Sequence, residues 1–487
     1  MKTLGPSNLS RPMLAVLYVT ATAVLIACFA RQIVSWRTWG DLENEGGMWV
    51  TLAVDARDGI LYRPLVSDIG YGGTRYGPVH IELQAALMKA GIAPITSGFL
   101  LGIITAGLTL TGIYTLMRRL KTPAPFALVM TCFFLAAFCV RSGILSIKSD
   151  LLAAGLDMWG LIAALPLLEK DSQTKKWPAI IIAAICFALA AASKVTSLFG
   201  ICTVVTWLLL RKENKIALRL VATYVMVGII LVLLVQWASQ GRGIGIFLST
   251  ASAGGGLRRI TEGPSFFFQQ LSSRDKAVGG FWVAALLMIL ARRNWTSLPT
   301  LLFAYSTLGT IAIFGSPGTD MNHLMDLHLA SLLVLAVECQ FGWFARAVVF
   351  LAMLVVLHAS HSCINDIRDM RRLNTRANLY ACLADVEKSS SNGPILAEDP
   401  VLPIIAGQRP YLLDYFMLQV NWRRPHFGDE IRNDLSQQRF KAVVVDVDLG
   451  FYPTPSPADP WPGLLTLTQT RYELKATEAR NHVFLPK

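Results

Sequence analysis

The sequence predicts a polytopic α-helical membrane protein with a small α/β domain at its C-terminal end, and three observations carry that expectation. The 487 residues are 53% hydrophobic and only 16% charged, with a mean hydropathy of +0.48. A soluble chain of this length lacks the polar groups to cover so much apolar surface. Apolar runs recur from residue 13 to residue 361 and then stop, giving way to Asn365-Asp366-Ile367-Arg368-Asp369-Met370-Arg371-Arg372.

A hydrocarbon core about 30 Å thick takes about 20 helical residues at about 1.5 Å each. Candidate runs fall near 13–35, 96–117, 124–140, 150–168, 178–193, 195–210, 215–237, 277–291, 297–314, 324–340 and 343–361, about eleven crossings by that criterion. The runs 178–193 and 195–210 meet at Ser193-Lys194-Val195-Thr196 and read either as two spans or as one broken span. Residues 78–91 place His80, Glu82, Gln84 and Lys89 among apolar neighbours, which suits an interfacial helix with an exposed polar face.

Orientation follows from Lys and Arg, which cytoplasmic loops retain. With the N-terminus inside, the inner loops carry Lys2, Arg11, Arg118, Arg119, Lys121, Lys170, Lys175, Lys176, Arg211, Lys212, Arg292, Arg293 and Arg346. The first outer loop (36–95) and the C-terminal part then face the extracytoplasmic side of a plasma (inner) membrane, with Trp36, Trp39 and Trp49 marking the headgroup level.

The chain divides into a membrane domain, 1–362, and a C-terminal domain, 363–487. In the second, 373–388 and 429–438 read as helices and 395–397 as a short strand. The β-branched run 441–447 reads as a buried strand and the Pro-rich 453–462 as a surface loop. Some 120 residues suffice to bury a core of their own.

The net charge of +12 is accounted for by attraction to the inner leaflet, and no basic run interleaved with aromatics points to nucleic acid. Cys28, Cys132, Cys139, Cys186, Cys202 and Cys339 sit inside apolar runs, where a thiol behaves as a small hydrophobe. His358-x-x-His361 with Cys363 reads as interfacial polar residues ahead of a metal site. Gly241-Arg242-Gly243-Ile244-Gly245 lacks the Gly-Lys-Ser/Thr of a phosphate loop and reads as a bend in an outer loop.

On the outer side gather Asp41, Glu43 and Glu45, then Arg141, Lys148 and Asp150, then Lys194 and Thr196, then Arg242, and last Thr319, Asp320, Asn322 and His323. Ionisable groups kept at a membrane boundary mark a functional site. A carboxylate held against apolar surface accepts a proton from a hydroxyl nucleophile. Cations beside it stabilise a departing phosphate. The combination points to group transfer from a lipid phosphate.

Specific runs carry the reading further. Asn44-Glu45-Gly46-Gly47, Gly59-Ile60-Leu61-Tyr62-Arg63-Pro64 and Tyr76-Gly77-Pro78 resemble the first outer loop of bacterial GT-C glycosyltransferases. The likeness is to the family 39-like branch related to protein O-mannosyltransferases. Lys148-Ser149-Asp150-Leu151-Leu152-Ala153 is similar to that group's second acidic element, and Gly318-Thr319-Asp320-Met321-Asn322-His323-Leu324-Met325-Asp326 to its late Gly-x-x-x-Asn-Tyr-x-x-Glu segment. Leu396-Ala397-Glu398-Asp399-Pro400, Ala406-Gly407-Gln408-Arg409-Pro410 and Leu413-Asp414 are similar to the tail domain of many members. Asn44 stands where many members have Asp, and His323 where Tyr is common.

The resemblance implies a GT-C-like fold, a sugar carried on a polyprenyl phosphate, an extracytoplasmic acceptor (lipid, glycan or protein) and an inverting single displacement. It gives the base to Glu45, with Asp41 as the runner-up. Asp150 either orients the acceptor or holds a divalent cation, which some GT-C enzymes use. Lys148, Lys194 and Arg242 approach the lipid phosphate, while Tyr62, Tyr76, Asn322 and His323 bind substrate. The competing expectation is a secondary transporter or lipid flippase that couples an ion through the outer carboxylates. Transporter sites lie near the bilayer midplane, where these spans hold almost nothing ionisable, Asp157 being the nearest case.

Overall fold

The computed structural model describes residues 11–39, 42, 44–74, 76–168, 173–251, 261–316, 319–338, 393–422, 424–446, 461–478 and 481–487, with 354, 357–358, 360–370, 379, 381–384 and 386 between them. Asp41, Glu43 and the loop 453–460 lie outside these, as do most of the expected span 343–361 and much of the expected helix 373–388.

Among the described residues five helices are long and apolar enough to cross a membrane: Ala15–Thr38, Pro94–Arg119, Asp150–Leu167, Lys176–Ser193 and Asn214–Ala238. Five of the other expected crossings are shorter or broken helices, and the last, 343–361, lies largely outside the described residues. The run 124–140 is two helices, Ala124–Phe134 and Phe138–Leu145, bent by 72°. The run 195–210 shortens to Phe199–Leu210, and the later runs become Lys276–Arg292, Leu298–Ile313 and Leu324–Glu338. The break Leu135-Ala136-Ala137 is itself apolar, so hydropathy gives no sign of it.

Backbone groups freed at a break inside a bundle must be paired within the protein. Asp275 accepts the Cys139 N–H at 2.9 Å and also caps Lys276–Arg292 through the Val278 N–H at 3.4 Å. Arg141 donates to the Ala136 carbonyl at 2.5 Å. It is buried and shares Asp366 with Arg31, at 3.6 Å and 3.0 Å respectively. Arg141 is therefore a brace of the bend. Beyond the bend, Ile147 has φ +54, a strained backbone for a buried β-branched residue, and it turns the chain into Lys148-Ser149-Asp150.

The segment expected to be the first outer loop is helical where the sequence reads as loop. Asn44–Arg57 is a helix buried throughout 46–56. A Cβ on Gly46 would stand 2.6 Å from the Ser146 carbonyl oxygen, and one on Gly47 2.6 Å from the Val401 nitrogen. Only glycines let this helix sit between the turn before Lys148 and the C-terminal helix Val401–Ile405. Trp49 is buried rather than at the headgroup level. Helix Pro78–Lys89 exposes Glu82 and Lys89 but buries His80 and Gln84, and Gln84 donates to the Pro94 carbonyl at 3.2 Å. Its polar face is thus only partly exposed.

The C-terminal part carries a four-stranded sheet in the order β3-β4-β6-β5, with β3 Ile395–Ala397, β4 Ala442–Asp446, β5 Tyr472–Glu478 and β6 Asn481–Pro486. The first pair is parallel and the other two antiparallel. Leu379, Leu383 and Val386, spaced as one face of a helix, pack on it. Helix Asp429–Ser436 lies close to its expected bounds, while helix Trp461–Arg471 and the β5–β6 pairing were not anticipated.

This part is fastened to residues 55–71. Strands β1 Val66–Ser67 and β2 Gly70–Tyr71 form a small antiparallel pair. Tyr71 exchanges backbone hydrogen bonds with Tyr411 and Leu413 at 2.7 Å and 3.0 Å. Arg63 grips Asp55 in a bidentate pair, 2.9 Å at each oxygen, and donates to the Pro410 carbonyl at 2.8 Å. Arg409 reaches the same Asp55 at 3.2 Å and also pairs with Asp58.

Candidate active site

Three turns and a helix start converge on a polar cavity of about 260 Å³. Glu45 enters from the first turn of Asn44–Arg57, and Trp49 one helical turn further along the same face. Asp150 enters from the start of its helix, Lys194 and Thr196 from the turn after Gln173–Ser193, and Asp320, Asn322 and His323 from the segment before Leu324–Glu338.

Two ion pairs organise the cavity. Lys148 Nζ stands 2.6 Å from Glu45 Oε2, and the Tyr76 hydroxyl donates to Glu45 Oε1 at 3.1 Å. Tyr76 in turn packs on Trp49, with ring centroids 4.4 Å apart. Lys194 Nζ stands 2.6 Å from Asp150 Oδ1 and 3.9 Å from Asp326 Oδ2, while Asn322 donates to Asp150 Oδ1 at 3.1 Å. Burial by itself lowers the Lys194 pKa, but Asp150 and Asp326 outweigh it and hold the ammonium above its usual range.

Beside this cavity lies an apolar groove of about 370 Å³ walled by Ala188, Ala191, Ala192, Tyr224, Gly228 and Val232 among others. The two share Gly77 and Val195. A Cβ on Gly77 would stand 1.8 Å from the Ala192 carbonyl oxygen, so glycine is required where helix Pro78–Lys89 begins against Gln173–Ser193. One wall of the groove is helix Asn214–Ala238, of whose membrane-length window only 6% is buried in the protein. Tyr62 lines the groove and its hydroxyl donates to the Tyr76 carbonyl at 3.0 Å. Arg242 sits at the groove's end beside Gly243, donating to the Tyr62 carbonyl at 3.1 Å.

The structure therefore brings together Glu45, Lys148, Tyr76, Asp150, Lys194, Asn322 and His323, and puts Tyr62 and Arg242 on the adjoining groove. Asp41 lies outside the described residues. Lys148 and Tyr76 occupy the oxygens of Glu45. Sequence reasoning gave no role to Asp326, to Trp49 in the site, or to the Asp55–Arg63–Arg409 brace beneath it. Reading 44–57 as a helix would have found Trp49 from its four-residue spacing to Glu45. Among the described residues no group of three His, Cys, Asp or Glu is placed to hold a metal ion.

The broken-helix bundle, with helix Asn44–Arg57 enclosed in it, resembles as a fold the GT-C membrane glycosyltransferases ArnT and AglB. The chain matches the crystal structure of ArnT from Cupriavidus metallidurans bound to undecaprenyl phosphate with a TM-score of 0.59 and 12% identity over 95% of this chain and 97% of that one. It matches the archaeal oligosaccharyltransferase AglB from Archaeoglobus fulgidus, in complex with an inhibitory peptide and a dolichol-phosphate, with a TM-score of 0.56 and 11% identity over 90% of this chain and 70% of that one. At such identities the likeness is one of fold. No family model matches the chain, and no curated protein matches it by sequence.

Proposed function

We propose that this protein is a membrane glycosyltransferase that moves a sugar from a polyprenyl-phosphate-linked donor to an extracytoplasmic acceptor. One observation carries the reading: a charged cavity and an apolar groove share a wall at Gly77 and Val195, the shape of a ligand whose polar head adjoins a hydrocarbon tail. That ArnT and AglB, proteins of this fold, are seen with undecaprenyl phosphate and dolichol-phosphate supports it.

In this reading the tail lies in the groove and the sugar phosphate enters the cavity. Glu45 takes the proton of the acceptor hydroxyl as its oxygen attacks the anomeric carbon. The bond from that carbon to the phosphate oxygen breaks with inversion, and the polyprenyl phosphate leaves with the electron pair. Lys194 and, at the groove end, Arg242 meet the charge developing on the phosphate. Lys148 and Tyr76 fix the Glu45 carboxylate, and Asn322 and His323 bound the space left for the sugar and acceptor. The membrane is the plasma (inner) membrane, with the N-terminus cytoplasmic and the site and the C-terminal part outside.

The test is transfer of radiolabelled sugar from polyprenyl-phosphate donors by the full chain and by Glu45→Gln, with folding checked in detergent. A general base contributes roughly 10²- to 10⁴-fold, and a loss of that size in kcat by a folded variant is expected. Unchanged kcat removes Glu45 from the role and passes it to Asp41.

A further inference from the structure

Two carboxylates facing one cation across a buried gap are the arrangement that oxygen-liganded divalent metals use, with water completing the shell. Here the gap is filled by the protein itself. Asp150 begins one helix, Asp326 lies in the first turn of another, and Lys194 is delivered between them from a turn. Its Nζ lies 2.6 Å from Asp150 and 3.9 Å from Asp326, and the three side chains are 10%, 6% and 11% exposed for Lys194, Asp150 and Asp326. Neither aspartate has another cation within ion-pair distance among the described residues. Two carboxylates buried this closely repel one another, and each is costly to bury unpaired. The lysine is the cation that offsets the burial of both.

We propose that Lys194 is a built-in cation. It occupies the seat between Asp150 and Asp326 that a divalent metal would otherwise take, so transfer at this site runs without a bound metal. Asp326, which does not line the cavity, is a positioning residue that holds the Lys194 ammonium beside the place of the phosphate. What that cation does rests on the glycosyltransferase reading, but occupation of the seat does not. Removal of the ammonium leaves Asp150 and Asp326, with Asn322 adjoining, as hard oxygen ligands open to a cation from the cavity.

The experiment measures Mn²⁺ binding to the purified full chain in detergent by electron paramagnetic resonance, which counts bound ions whether or not the enzyme turns over. After chelator treatment, wild type is expected to bind no stoichiometric Mn²⁺ at this site. Lys194→Ala is expected to gain about one ion, with a rise in Tm on adding Mn²⁺, and Lys194→Ala/Asp326→Ala to lose it again. Wild-type sugar transfer is expected to be unchanged by the chelator. Stoichiometric Mn²⁺ in wild type, loss of transfer on chelation restored by Mn²⁺, or a folded Lys194→Ala that gains no ion each overturns the proposal. If wild type transfers no sugar from any lipid-linked donor, the glycosyltransferase reading fails while the Mn²⁺ counts still decide the seat.

Discussion

Gly228 offers a direct way to ask whether the apolar groove holds the donor's tail. It lies on helix Asn214–Ala238 and lines the groove, and an added Cβ would meet no atom within 4 Å. Glycine is among the weakest helix formers, by about 1 kcal/mol against alanine, so Gly228→Phe gains helix propensity and clashes with nothing at its root. A phenylalanine brings 150–250 Å² of surface of its own. If it takes the place of about 100 Å² of tail contact, at about 25 cal/mol per Å² the donor loses about 2.5 kcal/mol, a 50- to 100-fold effect at about 1.4 kcal/mol per tenfold. The expected result is a rise of that order in KM for a long-chain polyprenyl-phosphate sugar, with little change for a water-soluble short-chain donor. Gly228→Ala serves as the mild control. A folded Gly228→Phe whose KM for the long-chain donor equals that of wild type refutes the reasoning, because the groove would then be empty during transfer.

Two predictions concern the frame that holds the site. Arg63 and Asp55 are both buried, at 0% and 1% side-chain exposure, so Asp55→Ala leaves a guanidinium without its carboxylate and is expected to cost about 3–5 kcal/mol. The apolar pair Asp55→Leu/Arg63→Met is expected to recover most of it in detergent unfolding, and a double variant as weak as the single one would show that Arg409 and Asp58 carry the brace. Burial lowers the pKa of His80 to about 4, and its ring nitrogens have no hydrogen-bond partner among the described residues. Between pH about 6.5 and 4 the unfolded chain therefore binds the proton that the folded chain refuses. Stability falls as pH drops through that window, by up to about 3 kcal/mol. His80→Phe should flatten the Tm profile there, and an unchanged slope would assign the acid sensitivity to other groups.

Much of this was legible because charge is scarce in the sequence. Where only 16% of residues are charged, Lys148, Asp150 and Lys194 stand out at the ends of apolar runs; Asp150 and Lys194 prove to line the cavity, and Lys148 pairs with Glu45, which lines it too. Breaks were not legible. The bend at Leu135-Ala136-Ala137 is apolar, and what holds it open is Asp275 and Arg141, one of them far along the chain. Residues 44–57 hid their helix for a related reason: 46–56 are buried on all sides, so no polar stripe repeats, and two glycines in the first turn read as a loop. The partners of Glu45 were equally hidden, since Lys148 and Tyr76 reach it only through the folding of three separate segments. The joint hold of Arg63 and Arg409 on Asp55 depends on a contact across most of the chain, which no local pattern announces.

The state of the carboxylates also bears on the competing transporter reading. A coupling ion needs an acid that is free to take it up and release it, near the depth where access alternates. Asp157, the deepest candidate, accepts from the Ser197 hydroxyl at 3.0 Å, just before helix Phe199–Leu210. Asp150 is taken by Lys194 and Asn322, and Asp275 by the Cys139 and Val278 amides. Glu45 is tethered too, but it is the carboxylate in these pairs with the largest open face toward the cavity, at 29% side-chain exposure against 6% for Asp150. A fixed, half-open carboxylate with its partners already in place suits a base that must meet one hydroxyl in one geometry. An acid that must bind and release an ion repeatedly gains nothing from being held by a lysine at 2.6 Å.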